Sequence, residues 1–114
     1  MRPRLRKSRE YERVRRQGRS WGHPLLVVQA TENDAEVSRF GFVVSRRVGN
    51  AVVRNRVRRR LREIVRGVLT GVPAGWDVVL VVRPTAANAA FAELESVTHA
   101  LLRRARLLPA AAVT

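Results

Sequence analysis

Apolar and polar positions alternate along the chain in ways that divide it into strands and helices. Apolar residues dominate 24–31 and 37–45, and the turn-forming letters ENDAE between them predict two strands joined by a short connection. In the second strand Phe42 and Gly41 point to opposite faces, and the glycine leaves a shallow place on its own face. Residues 76–83 are apolar almost throughout, which predicts a central strand covered on both faces.

Three further segments have helical spacing. The first is expected to begin at Ser8 as N-cap, with Gly18 just past its end. The second is expected to begin at Asn50 as N-cap and to end near Gly71. The third spans about 88–108, with its glutamates early and its arginines late, as the helix dipole favours. Its predicted apolar stripe consists of Phe91, Leu94, Val97, Leu101, Ala105 and Leu108.

The order of these elements predicts an α+β fold. A helix precedes two or three strands, and a helix, a strand and a helix follow, which favours an α/β sandwich around one mixed sheet. A length of 114 residues is typical of one domain, expected to span 1–114. Within it we expect 1–7 to be a basic, flexible segment and 109–114 to be a tail.

Charge narrows the possible partners. Lysine and arginine number 23 against 9 acidic residues, and the net charge is +14. Arginine outnumbers lysine by 22 to 1, and its guanidinium group suits bidentate contacts to phosphate. The sequence contains no cysteine, no apolar run long enough for a membrane span and no apolar N-terminal signal segment. We therefore expect a cytoplasmic protein that binds nucleic acid and no membrane.

Residues 52–69, VVRNRVRRRLREIVRGVL, concentrate this charge on one helix. Seven of these residues are arginine, and Glu63 alone is acidic. The apolar positions that share one side of the helix are Val53, Val57, Leu61, Ile64 and Val68. The positions of a flanking arginine ladder, spaced four residues apart, are Arg54, Arg58, Arg62 and Arg66.

The ladder is costly unless an anion neutralises it. Like charges at i and i+4 on a helix cost about 0.2–0.5 kcal/mol for each pair, and the ladder contains three such pairs. A solvated face normally alternates its signs, whereas a phosphate surface would remove the repulsion and release counterions. The pattern therefore predicts a phosphate-binding edge.

The sequence does not indicate a catalytic or metal-binding site formed by the protein's own side chains. His23 and His99 have no metal-ligand spacing, and the carboxylates are scattered apart from a turn at 32–36. A glycine-rich phosphate loop and a serine elbow are also absent. We expect no catalytic residue and no protein-held metal.

The string SRRVGNAVVRNRVRRRLRE at 45–63 closely resembles the signature of the bacterial ribonuclease P protein component, which is built around an Arg-Asn-Arg core. That core is Arg54, Asn55 and Arg56 here. The resemblance extends to REYERVRRQG, RFGFVVS and WDVVLVVRP, and so covers most of the chain.

The resemblance implies a subunit of an RNA-based endonuclease that removes the 5′ leader of precursor tRNA. Its implied partners are the catalytic RNA and precursor tRNA, with no DNA, and the implied cofactor is Mg²⁺ held mainly by the RNA and at the RNA–protein interface. The implied fold has a left-handed crossover through the arginine helix, against the usual right-handed rule. A cleft formed by the first helix, a sheet face and the arginine helix is implied to hold the single-stranded leader.

Site residues follow from the resemblance and, for Arg66, from the arginine ladder. The residues predicted to contact the catalytic RNA are Arg46, Arg47, Asn50, Arg54, Asn55, Arg56, Arg58, Arg59, Arg62 and Arg66. Those implied to line the leader cleft are Tyr11, Arg15 and Phe42. Arg15 stands where relatives carry a second aromatic residue, and Val28 stands where relatives carry a tyrosine.

Three other classes are compatible with parts of the pattern. A basic ribosomal protein of similar shape would bind RNA through flat patches and tails and would need no groove beside Tyr11. A DNA-binding protein would place the arginine helix in a major groove, but no helix-turn-helix spacing precedes it. A free-standing nuclease would need acid, base or metal-binding residues that the sequence does not group together.

Overall fold

The computed structural model describes residues 4–109 and contains one mixed sheet and three α-helices. The strands are β1 (Arg19–Gly22), β2 (Leu26–Glu32), β3 (Arg39–Val43) and β4 (Trp76–Val82), and the α-helices are α1 (Ser8–Gln17), α2 (Ala51–Val68) and α3 (Phe91–Arg104). A short 3₁₀ segment at Leu69–Gly71 lies a few residues before β4, and another at Pro84–Asn88 lies shortly before α3. The predicted α+β sandwich is confirmed.

The sheet has the strand order β1-β2-β4-β3. The strand β4 pairs antiparallel with β2 and parallel with β3, so it lies in the interior of the sheet as its apolar sequence predicts. The connection from β3 to its parallel neighbour β4 passes through α2. This is the crossover for which the resemblance implies a left-handed path.

Alternation along the strands separates two apolar layers. On one face, side chains of β2, β3 and β4 pack with α2 and α3 in the main core, which includes Val28, Phe40, Leu61, Leu80 and Leu94. On the other face, a smaller cluster of Leu5, Val14 and Val79, flanked by Tyr11 and Val81, fastens α1. Of the three helices in residues 4–109, α1 is therefore the one that packs on this side of the sheet.

Several boundaries differ from the prediction. The residue before α1 is Lys7 and Ser8 is the first helical residue, because Glu10 Oε1 accepts the free amides of Arg6 (3.1 Å) and Lys7 (2.8 Å) in place of a serine cap. The third helix begins at Phe91 and not near 88, since Pro84 starts a separate 3₁₀ turn.

The core side of α3 also differs from the predicted stripe. Its buried residues are Leu94, Thr98, Leu101 and Leu102. Phe91, expected in the stripe, is exposed, and Val97 and Ala105 are only partly buried. The buried hydroxyl of Thr98 is satisfied by the carbonyl of Leu94 at 2.7 Å, which explains how a polar residue occupies a core position.

The N-terminal segment is more anchored than its charge suggests. Leu5 is buried in the cluster below α1, and its amide donates to the carbonyl of Phe40 at 2.9 Å. Leu5 therefore ties this segment to the edge of the sheet, and the flexibility expected of residues 1–7 stays a prediction. Residues 1–3 and, of the predicted tail, 110–114 lie outside the described residues.

Candidate nucleic-acid interface

The helix α2 is built as predicted from a capped start and an apolar inner side. Asn50 Oδ1 accepts the amide of Val53 at 3.0 Å, which confirms Asn50 as the N-cap. The buried residues of α2 are Val57, Leu61, Ile64 and Val65. Val53 and Val68 pack against the same core from the two ends of the helix. This packing turns the polar residues of α2 outward.

The outer side of α2 carries positive charge that the protein hardly compensates. Arg59, Arg62 and Arg66 are exposed, as are the lead-in residues Arg46 and Arg47. Among residues 4–109, the one ion pair that involves an arginine of α2 joins Arg66 Nη2 to Glu63 Oε2 at 3.4 Å, between two exposed side chains. Such exposed pairs contribute little. The surface remains strongly cationic.

Arginines on the two flanks of α2 have different surroundings. Arg56 Nη2 donates to the carbonyl of Ala87 at 3.3 Å, and Arg60 Nη1 donates to that of Ala89 at 3.0 Å. These two side chains thus also hold α2 against the segment that leads into α3. Arg58 donates to Asn55 Oδ1 at 3.2 Å, on the flank nearer β3. Arg54 is half-buried, and its guanidinium makes no hydrogen bond within the described part of the chain.

A groove lies on the opposite face of the sheet, between α1 and the strands. It measures about 420 Å³ and contains both Tyr11 and Arg15. The remaining lining residues are Arg6, Ser8, Glu12, Gln29, Val43, Val79 and Val81. Its floor is thus apolar and its α1 wall is charged. We call it the α1 groove.

The ring of Tyr11 rests over Gly41, where the sequence predicts a shallow place on β3 but names no occupant. A Cβ atom at position 41 would stand 2.5 Å from Tyr11 Oη and 2.6 Å from Cε1 and Cζ. The hydroxyl approaches the carbonyl of Leu5 at 3.5 Å, and the side chain is half-buried. One part of the Tyr11 ring therefore packs on Gly41, while another part faces the α1 groove.

Arg15 is held at the mouth of the α1 groove by an ion pair with Glu12. Both side chains are exposed. The hydrogen bond from Arg15 is the main cause that lowers the pKa of Glu12, and the same bond raises the pKa of Arg15. The pair leaves the cation at the groove edge, one helical turn from Tyr11.

The structure does not bring Phe42 together with Tyr11 and Arg15. Phe42 points to the α2 side of the sheet and packs partly against the main core, so its predicted place in the same cleft is wrong. Val28 is fully buried on that same side, and its neighbour Gln29 lines the α1 groove instead. No residue of α2 lines the groove either, so within residues 4–109 the cleft is bounded by α1, the sheet and Arg6.

A buried ionic network, which the sequence did not indicate, fixes α1 to the sheet. The fully buried Asp77 accepts from Arg13 Nη2 (2.6 Å), from Arg39 Nε (2.9 Å) and Nη2 (2.8 Å), and from Asn33 Nδ2 (2.7 Å). Glu10 Oε2 then accepts from Arg39 Nη1 at 2.6 Å. Arg13 and Glu10 belong to α1, whereas Asp77 and Arg39 belong to β4 and β3.

Titration of the two carboxyls is coupled to this network. Burial is the largest influence on Asp77 and raises its pKa, but the hydrogen bonds from Arg39, Asn33 and Arg13 together outweigh burial and hold that pKa below its ordinary value. The backbone amides of Lys7 and Arg6 are the main cause of the lowered pKa of Glu10. Both groups are therefore charged at neutral pH.

Residues 4–109 contain neither a metal-binding cluster nor a membrane-spanning helix. No group of three or more histidine, cysteine, aspartate or glutamate side chains in this range is arranged to hold a metal ion. No helix in the same range is long and apolar enough to cross a membrane.

Comparison with known proteins shows the family of the chain. The family Ribonuclease P matches residues 1–106. The chain belongs to the ribonuclease P protein component family. A ribonuclease P protein component from Roseiflexus castenholzii is 45% identical over 109 residues, covering 95% of this chain and 89% of the relative. One from Chloroflexus aurantiacus is 47% identical over 108 residues, covering 94% and 80% respectively.

Solved structures of the family have the same fold. The RNase P protein from Thermotoga maritima superposes with a TM-score of 0.81 at 32% identity, covering 90% of this chain and 97% of that one. The Staphylococcus aureus RNase P protein gives a TM-score of 0.88 at 24% identity, covering 95% and 99%. As a member of this family the chain is a subunit of the ribonuclease P holoenzyme, which includes the ribonuclease P RNA, and it serves tRNA 5′ processing.

Proposed function

We propose that the protein binds the catalytic RNA through the outer side of α2 and the 5′ leader of precursor tRNA in the α1 groove, and so assists removal of the leader in the cytoplasm. The observation that carries the proposal is the cationic surface of α2, whose seven arginines have a single weak ion pair among residues 4–109. The residues proposed to contact the catalytic RNA are Arg46, Arg47, Asn50, Arg54, Asn55, Arg56, Arg58, Arg59, Arg62 and Arg66.

The energetics of α2 favour an RNA partner. The free protein sustains the mutual repulsion of the arginine ladder, because no carboxylate of the described chain lies between its members apart from Glu63. Phosphates replace that repulsion with attraction and release condensed counterions from the RNA. Guanidinium groups also provide two parallel donors for each phosphate. Binding is therefore expected to depend steeply on salt.

The α1 groove has the composition that suits a single strand. Val43, Val79 and Val81 form an apolar floor, and Tyr11 offers a ring edge beside it. Unpaired bases stack on aromatic and apolar surfaces, while a cation contacts the backbone. Arg15 supplies that cation at the groove mouth. This combination supports the leader as the groove's occupant.

Mg²⁺ is proposed to be held mainly by the RNA. The described side chains do not fit a protein-held site, because no three carboxylates or histidines converge. When bound to RNA, the ion would supply the metal-activated hydrolysis. The contribution of this chain's residues is to position the leader and to neutralise phosphates that would otherwise require additional Mg²⁺.

Cleavage of precursor tRNA with and without each subunit tests this proposal. The RNA alone should need high Mg²⁺, and addition of the protein should move the Mg²⁺ midpoint to a lower concentration. The protein alone, purified free of RNA and of other nucleases, should not cleave at any Mg²⁺ concentration. The variant in which Arg54, Arg58 and Arg62 are replaced by Gln removes three of the proposed phosphate contacts. It should fail to lower the Mg²⁺ midpoint of cleavage. Cleavage by the isolated protein, abolished by a point mutation in it, would overturn the proposal.

A further inference from the structure

A second pocket lies on the α2 side of the sheet, away from the α1 groove. It measures about 520 Å³ and is formed by Arg4, by β3, by the second half of α2 and by Leu69. Its apolar lining consists of Phe40, Phe42, Val65 and Leu69. Its charged lining consists of Arg4, Arg62 and Arg66. We call it the Phe42 pocket.

The chain positions these residues through specific contacts. The backbone of Arg4 forms a parallel bridge with Phe40, and the amide of Leu5 donates to the Phe40 carbonyl at 2.9 Å. This contact brings the cation of Arg4 to the edge strand β3. Arg62 and Arg66 stand one turn apart on α2 and are exposed. Phe40 is buried, so Phe42 and Leu69 supply the partly exposed apolar surface.

The composition of the Phe42 pocket specifies the chemistry of its occupant. Three guanidinium groups surround an apolar floor, and none of the lining residues that the structure describes is a carboxylate. An apolar ligand alone would leave these cations with no anionic partner beyond the weak pair of Arg66 with Glu63, and a phosphate alone would leave the ring of Phe42 uncovered. A nucleotide supplies both a flat base that stacks on a ring and phosphates that pair with arginine. Unpaired RNA is recognised in this way elsewhere.

We propose that the Phe42 pocket receives an unpaired nucleotide of the catalytic RNA. The base would stack on Phe42 beside Leu69, and the flanking phosphates would meet Arg62, Arg66 and Arg4. This inference rests on the proposed function, because it takes the outer side of α2 as the surface for the catalytic RNA. It adds a base contact to the phosphate contacts proposed for the outer side of α2.

Continuity favours the catalytic RNA over the leader as the source of this nucleotide. Arg62 and Arg66 are the last two members of the ladder that begins at Arg54 and Arg58, so a strand following the ladder arrives at the pocket. The sheet separates the pocket from Tyr11 and the rest of the α1 groove. A leader held beside Tyr11 would have to pass around the edge strand β3 to reach Phe42.

Photo-cross-linking in the holoenzyme tests the assignment. A benzophenone side chain is placed at position 42 or, as matched control, at position 43, since Val43 is the adjacent residue of β3, is exposed and faces the α1 groove. With catalytic RNA and precursor tRNA both present, position 42 should cross-link to an unpaired nucleotide of the catalytic RNA. Position 43 should cross-link to the leader.

The outcomes separate this inference from the proposed function. In two outcomes position 43 cross-links to the leader but the inference is overturned: position 42 forms no cross-link, or position 42 cross-links to precursor tRNA. Both outcomes would leave the proposed function intact. Failure of both positions, together with catalytic-RNA binding that does not depend on salt, would instead overturn the proposed function.

Affinity measurements on conservative variants provide a second readout. Phe42→Leu keeps an apolar side chain but removes the stacking ring, and should weaken binding to the catalytic RNA by about five-fold or more. Phe42→Trp keeps an aromatic ring and should bind the catalytic RNA as tightly as the parent protein does. Neither substitution should alter the slope of log affinity against log salt concentration, because no charge is lost. Thermal melts check that both variants fold. Equal affinities of Phe42→Leu and the parent protein, with unchanged melting, would contradict the stacking contact.

Discussion

The ionic network around Asp77 makes a quantitative prediction about stability and about leader binding. Asp77→Ala removes a fully buried carboxylate that accepts four hydrogen bonds and leaves Arg13 and Arg39 facing each other. Breaking a buried pair by removing one partner costs about 3–5 kcal/mol. The two arginine side chains are 34% and 28% exposed, so solvent screens part of the loss and we expect about 3 kcal/mol.

A thermal melt and a binding assay together measure this effect. In a domain of this size about 3 kcal/mol corresponds to a fall in melting temperature of about 12 °C. Asp34→Ala is the matched control, since Asp34 is exposed and makes no side-chain hydrogen bond in the described range, and it should melt like the parent protein. Because the network fastens α1, Asp77→Ala should also reduce the preference for leader-bearing over leaderless tRNA. The affinity for the catalytic RNA should change less.

The network also sets the dependence of stability on pH. The folded-state pKa values of Asp77 and Glu10 are both lowered, so their stabilisation is present in full above the ordinary carboxyl pKa of about 4. It is lost as the pH falls through that value towards the lower folded-state values. The parent protein should therefore lose more stability in acid than Asp77→Ala does. A melting temperature of Asp77→Ala within about 2 °C of the parent at neutral pH, or equal acid sensitivity of the two proteins, would refute this reasoning.

Three further predictions concern the α1 groove. Tyr11→Ala should lower the affinity for leader-bearing precursor tRNA by about five-fold or more and leave the affinity for mature tRNA unchanged, because one stacking surface is lost; equal losses for both substrates would indicate a packing role alone. Arg15→Ala should act on the same discrimination and should also reduce its salt dependence, as measured by titration at several salt concentrations. Gly41→Ala should displace the ring of Tyr11, because a Cβ atom would stand about 2.5 Å from the Tyr11 hydroxyl. The preference for leader-bearing over leaderless tRNA should then fall, although the groove keeps its other residues. An unchanged preference would show that the position of the ring is unimportant.

Local signals explain what the sequence could predict. Asn50 caps α2 because its side-chain oxygen reaches an amide three residues ahead, and such a contact depends on few other residues. The apolar side of α2 and the interior position of β4 follow from periodicity and composition. In each case the residues that form the feature are neighbours in the chain.

Features that depend on partners distant in the chain could not be predicted from local patterns. Alternation shows that Phe42 and Gly41 face opposite sides of β3, but it does not show which side receives α1, so it could not separate Phe42 from the groove beside Tyr11. The Asp77 network joins residues up to 64 positions apart, and no spacing rule connects them. A single charged residue within the apolar run of β4 was the available signal, since a buried aspartate requires partners.

The salt dependence of binding to the catalytic RNA tests the central claim, that α2 is a phosphate-binding surface, most directly. Log affinity is measured against log salt concentration for the parent protein and for the triple variant Arg54→Gln, Arg58→Gln and Arg62→Gln. A control variant loses three exposed arginines elsewhere, Arg9, Arg16 and Arg103, so that both variants lower the net charge equally. Each lost phosphate contact should reduce the slope by about 0.7–0.9, so the α2 variant should lose about 2–3 in slope while remaining folded. A slope equal to that of the parent, or a loss no larger than that of the control variant, would contradict the account.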